Sequence, residues 1–305
     1  MVNLDEIVNK LNEELGIESF GADPAFKRFI PTTYESINFD WRSAFEKEFL
    51  ELFNGLMLRG ASHVERVYLA VFPTDDVLEQ FIAQGNAGDL LFMHHPLLME
   101  CGDPQGAAGK GFVPIKEEYI KQMKEKQLSI YTCHIPLDFH PQLGTSVAIA
   151  NALNAAKTDS FLSYENMGYL GLICSVEDTN TTDLIAKLCD IFDIPYVDFE
   201  GQELDHIQKV AIVAGCGDKA EWMLEAEQKG AQAYITGEIH CHINSDYGKE
   251  KYSEIMTYAK KTPMSLIGVS HSASEYLVKK TLMKDWFDQH FELTTVLIPQ
   301  EKWWL

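Results

Sequence analysis

Histidines and carboxylates in this chain follow predicted β-strands, at the positions where α/β sheets bind ligands. These residues are His94 and His95 after DLLFM, His134 and Asp138 after SIYTC, Glu238 after AYI, and His271 and Glu275 after SLIGVS. In open α/β sheets, ligands bind beyond the carboxyl ends of the strands, so we expect these side chains to lie close together. Imidazole and carboxylate are ligands of zinc, iron and manganese. The set suits two divalent ions that share a carboxylate bridge and activate water.

The adjacent His94 and His95 stand at the end of a short apolar strand, directly before Pro96. Neighbouring side chains of an extended segment point in opposite directions, so both rings reach one site only if the strand ends there. Proline has no N–H to donate and biases the preceding residue toward extended geometry, which is consistent with a strand end. Two imidazoles could then bind two neighbouring metal ions.

Each of these groups also has an ordinary structural interpretation. A single histidine near a strand end is usually a capping or surface residue, and Asp138 could simply begin a turn. His271 and Glu275 are one helical turn apart, a spacing that usually gives a solvated pair. The prediction of a metal site therefore depends on a combination from three strand ends, with two histidines after DLLFM, Asp138 after SIYTC, and His271 with Glu275 after SLIGVS.

Alternating strands and helices after residue 60 predict an α/β fold that would position these loops. The strand-like ERVYLAVF precedes the helical DDVLEQFIAQG, and the alternation continues to a final strand, TTVLIP. This pattern favours largely parallel sheets with helices on their faces, arranged as two related lobes. We assign the lobes to residues 1–155 and 156–305. Residues 1–50 differ, with a predicted helix at 4–15 followed by an aromatic stretch that we expect to be loop-like.

Charge and hydropathy restrict the classes of partner. The formal net charge of −21 disfavours nucleic acid, because its binding depends mainly on lysine and arginine. No apolar run reaches the roughly 18–20 residues of a membrane span. The N-terminus lacks the basic and apolar regions of a signal peptide, and the six scattered cysteines are typical of a reducing compartment. We therefore expect a cytoplasmic protein without a membrane partner.

Four segments resemble, in order, the NIF-three-like family (NGG-interacting-factor-like), whose members are often described as GTP cyclohydrolase type-two homologues. They are LLFMHHPLL, YTCHIPLDFHPQLG, AYITGEI and GVSHSASE. The resemblance implies two intertwined α/β lobes, a dinuclear metal centre and ring-like oligomers, commonly hexamers. It assigns the metal ligands to His94, His95, Asp138, His271 and Glu275. His134 would lie beside the site, and Glu238 would approach it from the other lobe.

Three features depart from the family pattern. Ser270 stands directly before the last histidine ligand, where the family usually has glycine, so the tight turn is a point of difference. An early Asn- and Gly-rich signature has only a distant counterpart in FNGLMLRG. His240 and His242 are additional, and stay open as ligands, proton carriers or surface residues.

These observations favour a dinuclear hydrolase that uses two divalent ions of zinc, iron or manganese. His134 or Glu238 would serve as the general base or acid toward metal-activated water. The expected substrate is a small molecule such as a nucleotide or heterocycle, and the resemblance suggests a GTP cyclohydrolase-like reaction. The alternative is a non-catalytic metal-binding scaffold or regulatory adaptor, in which protein ligands saturate the ions. A nucleic-acid-processing role is a third alternative, which the acidic charge disfavours.

Overall fold

The computed structural model describes residues 1–165 and 167–305 of the chain. Its strands are β1 (Val2–Asn3), β2 (Gly55–Leu58), β3 (His63–Val64), β4 (Arg66–Leu69), β5 (Leu90–Met93), β6 (Leu98–Gly102), β7 (Ala108–Val113), β8 (Ser129–Thr132), β9 (Ala156–Ser163), β10 (Tyr169–Thr179), β11 (Asp198–Gly201), β12 (Ile207–Cys216), β13 (Ala233–Glu238), β14 (Ser265–Gly268) and β15 (Thr294–Leu297).

Helices connect most of these strands. They are α1 (Leu4–Glu14), α2 (Ile17–Phe20), α3 (Pro24–Glu35), α4 (Trp41–Ala44), α5 (Lys47–Leu52), α6 (Asp75–Gln84), α7 (Glu117–Glu125), α8 (Ile135–Asp138), α9 (Thr145–Leu153), α10 (Thr181–Phe192), α11 (Ala220–Gln228), α12 (Asp246–Ala259), α13 (His271–Val278) and α14 (Lys284–His290), with a π-helical segment at Lys279–Met283. Within the described residues, no helix has both the length and the apolar character needed to cross a membrane.

The N-terminal fifty residues are more helical than expected. The predicted first helix is present as α1, but the aromatic stretch after it, residues 20–41, contains α3 and ends where α4 begins, so the loop-like prediction was wrong. Asp23 caps α3 and Pro24 occupies its first turn, both of which favour a helix start. Three buried side chains then share one face of this helix: Phe26, Ile30 and Tyr34. Pro31 inside the helix obscures this periodicity in the sequence.

The first compact unit comprises Met1–Met99, Phe112–Leu137 and Lys279–Glu301. Its five-stranded sheet has the order β15-β4-β5-β8-β2. Strands β15, β4, β5 and β8 run parallel, and β2 is antiparallel to β8. The carboxyl ends of β5 and β8 are therefore neighbours. The loops that follow them carry the first group of candidate side chains.

The second compact unit comprises Glu100–Gly111, Asp138–Val278 and Lys302–Leu305. Its six-stranded sheet has the order β11-β14-β13-β12-β10-β9. Strands β12, β13 and β14 run parallel at its centre, while β9, β10 and β11 form antiparallel pairs. The carboxyl ends of the three parallel strands lead to Cys216, Glu238 and His271. One edge of this sheet therefore gathers the second group.

The α/β class predicted from the sequence is confirmed. The first sheet is largely parallel, as expected, whereas the second has a parallel centre and antiparallel strands on either side. Each unit contains several separate chain segments. The boundary expected between residues 155 and 156 falls inside the second unit, between α9 and β9.

Candidate metal centre

His94 and His95 leave the end of β5 together. Both backbone N–H groups donate hydrogen bonds to the carbonyl of Val71, at 3.1 and 3.0 Å. His94 is fully buried, and its Nδ1 lies 2.7 Å from the carbonyl oxygen of Cys133. Because a carbonyl can only accept, Nδ1 carries the proton. The Nε2 atom then carries the lone pair with which a neutral imidazole binds metal.

Aromatic rings hold the buried imidazole of His95 in place. It stacks on Phe72, with the ring centroids 4.2 Å apart and an interplanar angle of 18°. It also meets the edge of Phe26 at a centroid distance of 5.9 Å. The rings of His94 and His95 are perpendicular, with centroids 4.6 Å apart. Such packing limits the rotamers of the imidazole, which is what a pre-organised ligand requires.

His134 is positioned by two residues that the sequence prediction missed. Its backbone N–H donates to Oδ1 of Asn54 at 2.8 Å, and its Nδ1 lies 2.7 Å from Oδ2 of Asp23. Burial opposes the ionisation of Asp23, but the charge of His134 and hydrogen bonds from His134 and the backbone of α3 hold the pKa of that carboxyl below its usual range. An ionised Asp23 keeps the proton on Nδ1 of His134 and leaves Nε2 as the basic nitrogen.

The first unit therefore contains a group of three imidazoles. Ring nitrogens of His94, His95 and His134 lie within 4.8 Å of one another. The sequence placed His134 beside the metal ligands, and the structure places it in the same group as two of them. Three histidines are a common ligand set for zinc.

In the second unit, His271 and Glu275 lie one turn apart at the start of α13. Nε2 of His271 is 3.0 Å from Oε1 of Glu275, and its Nδ1 is 2.5 Å from Oε1 of Glu238 at the end of β13. All three side chains are buried. Glu238 was predicted to approach the site as an acid or base. Its contact with Nδ1 is also the arrangement in which a carboxylate orients a metal-binding histidine.

The two carboxylates favour a positive charge at His271. Burial opposes that charge, but Glu275 and Glu238 outweigh it and raise the pKa of His271 well above its usual value. Sγ of Cys101 lies 3.8 Å from Nδ1 of His271, and Sγ of Cys216 lies 3.7 Å from Oε2 of Glu238. Burial, reinforced by the charge of Glu238, raises the pKa of both thiols well above the usual value. Both cysteines are therefore protonated and weakly nucleophilic in this form of the site.

Asp138 ends α8 and is half-buried. Its Oδ1 accepts a hydrogen bond from Oγ1 of Thr145 at 2.8 Å. A carboxylate oxygen of Asp138 lies within 4.8 Å of one from Glu275. The second unit therefore brings together Asp138, His271 and Glu275, three of the five predicted ligands.

A left-handed turn directs His271 away from the end of β14. Ser270 has a φ of 73°, a conformation that glycine adopts most easily. The chain thus keeps the backbone that glycine would favour, although the residue is serine. The Ser270 hydroxyl accepts a hydrogen bond from the N–H of Ala273 at 3.2 Å and donates one to the carbonyl of Trp303. These two bonds help to hold the strained turn.

Gly215, a buried residue near the end of β12, leaves room for the carboxylate of Glu275 on α13. Its φ is 69°, and a Cβ at this position would collide with Oε1 of Glu275. The same Cβ would lie 3.3 Å from Nε2 of His271. The glycine is therefore required by both its backbone conformation and the close approach of the candidate ligands.

His240 and His242 gather around Asp198 and Glu200 of β11 in the second unit. Nδ1 of His240 lies 3.5 Å, and Nε2 of His242 lies 3.6 Å, from Oδ2 of Asp198. Burial lowers the pKa of His240, opposed by Asp198 and Glu200 and aided by His242. The lowered pKa favours the neutral imidazole of His240 at neutral pH. The sequence had no signal that linked His240 to β11.

The fold and the two groups at the strand ends define an α/β protein with candidate metal-binding side chains. The family model for Duf34/NIF3 (NGG1p interacting factor 3) matches residues 52–302, so the chain belongs to this family. The resemblance predicted from the four motifs is confirmed.

Individual relatives agree with this assignment. The chain is 30% identical over 237 residues to the GTP cyclohydrolase 1 type 2 homolog of Pyrococcus abyssi. The aligned residues cover 76% of this chain and 83% of the relative. Among solved structures, protein ybgI, described as of unknown function, has a TM-score of 0.68 at 18% identity, over 99% of this chain and 100% of that one. The protein TTHA1606 from Thermus thermophilus has a TM-score of 0.63 at 20% identity, over 99% of each chain. These two structures support the fold.

Proposed function

We propose that the chain is a divalent-metal-dependent hydrolase that binds two ions of zinc, iron or manganese per subunit. The proposed ligands are those that the family resemblance implies: His94, His95, Asp138, His271 and Glu275. The observation that carries the proposal is the buried histidine group of the first unit, in which Cys133 fixes the tautomer of His94. The contacts of Asp138, His271 and Glu275 within the second unit support it separately.

The chemistry of these donors suits such ions. Imidazole together with carboxylate is typical of zinc, iron and manganese sites, whereas calcium and magnesium take mainly oxygen. The Cys133 carbonyl behind His94 and the Glu238 carboxylate behind His271 are the outer hydrogen-bond partners that metal-binding histidines usually have. Divalent ions, when bound, lower the pKa of water toward neutrality and stabilise negative charge that develops on the substrate.

We propose His134 and Glu238 as the residues that move protons. Asp23 accepts the Nδ1 proton of His134, so Nε2 is the basic nitrogen that would accept a proton and return it to a leaving group. Oε1 of Glu238 is hydrogen-bonded to His271, whereas Oε2 is contacted by the weak thiol donor of Cys216 at 3.7 Å, so Oε2 is the atom that would exchange a proton. His134 is therefore the stronger of the two candidates.

We propose a nucleotide or related heterocycle as the substrate and a cyclohydrolase-like ring opening as the reaction class. The support is the name of curated relatives, GTP cyclohydrolase 1 type 2 homolog. A triphosphate would approach a chain whose formal net charge is −21. Bound cations would therefore be the main electrostatic attraction for it.

A metal-binding scaffold or regulatory adaptor is the second candidate, and one observation favours it. The structure adds further donors to the two groups, namely His134 in the first unit and Glu238 and Cys101 in the second. A larger set of protein ligands would fill the coordination positions that a hydrolytic water needs.

A turnover screen distinguishes the two candidates. The full chain, reconstituted separately with Zn²⁺, Fe²⁺ and Mn²⁺, would be incubated with nucleotides and phosphoesters, and the products identified by mass spectrometry. The hydrolase proposal expects metal-dependent product formation that a chelator abolishes. A protein that retains its metals and yet turns over none of these substrates would favour the scaffold.

The Glu238→Gln variant adds a test of mechanism to this screen. Glutamine can still accept from His271 but cannot exchange a proton, so we expect the metals to stay bound while turnover falls about 10²-fold. The matched control is His206→Gln, at an exposed histidine of the same unit. Full activity in Glu238→Gln would remove Glu238 from the mechanism.

A further inference from the structure

A third group of potential ligands lies in the second unit, at the edge strand β11. Asp198 belongs to this strand, and His240 and His242 follow β13. One ligand atom from each of the three residues lies within 4.8 Å of the other two. This group shares no residue with the ligands proposed for the dinuclear centre.

Two imidazole nitrogens of this group lack the partners that buried nitrogens normally have. His240 is 97% buried, since only 3% of its surface is exposed. Within residues 1–165 and 167–305, neither Nδ1 of His240 nor Nε2 of His242 has a hydrogen-bond partner. Buried polar atoms are rarely left unsatisfied without a functional reason. Both nitrogens face the same oxygen, Oδ2 of Asp198.

The spacing of these atoms matches the edges of a coordination tetrahedron. Zinc–nitrogen and zinc–oxygen bonds of about 2.0–2.2 Å imply ligand-to-ligand separations of about 3.3–3.6 Å. The observed separations from Oδ2 of Asp198 are 3.5 Å to Nδ1 of His240 and 3.6 Å to Nε2 of His242. We propose that Asp198, His240 and His242 form a second, mononuclear zinc-type metal site, independent of the dinuclear centre.

The surrounding structure holds these three side chains in place. Asp198 pairs with Gly268 in the register of β11 and β14. The carbonyl of His242 accepts a hydrogen bond from the N–H of Gly109 at 2.9 Å. The ring of Tyr252 covers His240 at a centroid distance of 4.5 Å. The ligands are therefore largely pre-organised, which reduces the cost of binding an ion.

Glu200 is the outer partner of this site. Its Oε1 lies 3.7 Å from Nε2 of His240, the ring nitrogen opposite the proposed ligand atom. The negative charge of a carboxylate on this side of the ring favours the tautomer with its proton on Nε2, which leaves Nδ1 for the metal. Three protein ligands leave one position of a tetrahedral ion open to solvent. The exposed part of the His242 side chain, 20%, gives an ion access to the site.

Zinc titration of the metal-free full chain tests the proposal. Equilibrium dialysis against Zn²⁺, followed by elemental analysis, would give the number of ions bound per chain. We expect His242→Gln and Asp198→Asn each to lose one zinc equivalent relative to the wild type, while the His206→Gln control loses none. Unchanged zinc content in both variants would overturn the proposal. Circular dichroism would confirm that the variants are folded.

Two further measurements separate this site from the dinuclear centre. The Asp138→Asn variant should keep the zinc equivalent that depends on His242. Adding His242→Gln to this variant should remove one further zinc equivalent. In zinc-soaked crystals of the wild type, anomalous diffraction should show a zinc peak bounded by Asp198, His240 and His242. No peak at this position would contradict the mononuclear site, whatever is found at the dinuclear ligands.

Discussion

His134 receives its orientation and its tautomer from side chains 80 and 111 positions away in the sequence, Asn54 and Asp23. Asp23 has two roles, because its Oδ1 caps α3 while its Oδ2 contacts His134. The start of α3 and the tautomer of the His134 imidazole are thus linked through one carboxyl group.

The Asp23→Asn variant separates these two roles. Asparagine caps helices about as well as aspartate, so α3 should stay formed, while loss of the charged contact to His134 should lower the free energy of unfolding by about 1.5–3 kcal/mol. The amide nitrogen in the place of Oδ2 cannot accept the Nδ1 proton of His134, so the tautomer with a basic Nε2 is no longer favoured and turnover should fall about 10²-fold. Urea unfolding and steady-state kinetics on the reconstituted protein measure the two effects. Unimpaired turnover in a stable variant would show that His134 does not act as a base supported by Asp23.

At the residue scale, the sequence predicted the candidate metal ligands better than it predicted the residues that orient them. The pair His94-His95 and the His271-x-x-x-Glu275 spacing are local patterns that can be recognised along the chain. The contact between Asp23 and His134 joins residues 111 positions apart. In the sequence, an aspartate that only caps a helix looks the same as one that also contacts a histidine. Asp198 escaped notice for the same reason.

Among the secondary-structure elements, the turn before α13 requires a left-handed backbone conformation, and serine rather than glycine adopts it. The left-handed conformation of Ser270, with φ at 73°, costs an ordinary residue roughly 1–2 kcal/mol, and glycine largely avoids this cost. The hydroxyl bonds of Ser270 to Ala273 and Trp303 offset part of it.

Two substitutions at Ser270 test this interpretation. Ser270→Gly loses the hydroxyl bonds but relieves the strain, so we expect the free energy of unfolding to stay within about 1 kcal/mol of the wild type. Ser270→Val places a β-branched residue at positive φ and should lose at least about 2 kcal/mol. Urea denaturation compares the two. A valine variant as stable as the glycine variant would contradict the proposed strain.

Elements with strong apolar periodicity were predicted, and those without it were missed. Buried strands such as β5 and amphipathic helices such as α6 follow directly from their sequences. Strands β9 and β11 are mostly exposed or half-buried, so they show little alternation. Pairing with a neighbouring strand determines such elements, and that pairing is not visible in one segment of sequence.

At the scale of the whole molecule, each compact unit contains segments that are distant in sequence. The first unit takes Lys279–Glu301 from near the C-terminus, where β15 pairs in parallel with β4. A division of the sequence at one position cannot predict that a C-terminal segment belongs to the first unit, because this membership depends on which strands pair. The alternation of strands and helices along the sequence predicts the class of fold. The pairing of the strands determines which segments belong to each compact unit.

Assembly is a further property at this scale. The family resemblance implies a hexameric ring, so we expect light scattering coupled to size-exclusion chromatography to give a mass about six times that of the 34.5 kDa chain. The measurement should be repeated at two protein concentrations. A mass equal to that of one chain at both concentrations would contradict the ring.

The central claim is that this chain binds metal ions through the five proposed ligands, and Asp138→Asn tests it most directly. Asparagine can still accept the hydrogen bond from Thr145, so the variant should fold. It lacks the negative charge and full donor strength of a carboxylate. Elemental analysis by plasma mass spectrometry should show the loss of at least one metal equivalent per chain, while Asp178→Asn, at an exposed carboxylate of the same unit, should lose none. An unchanged metal content in folded Asp138→Asn would show that the proposed centre is wrong.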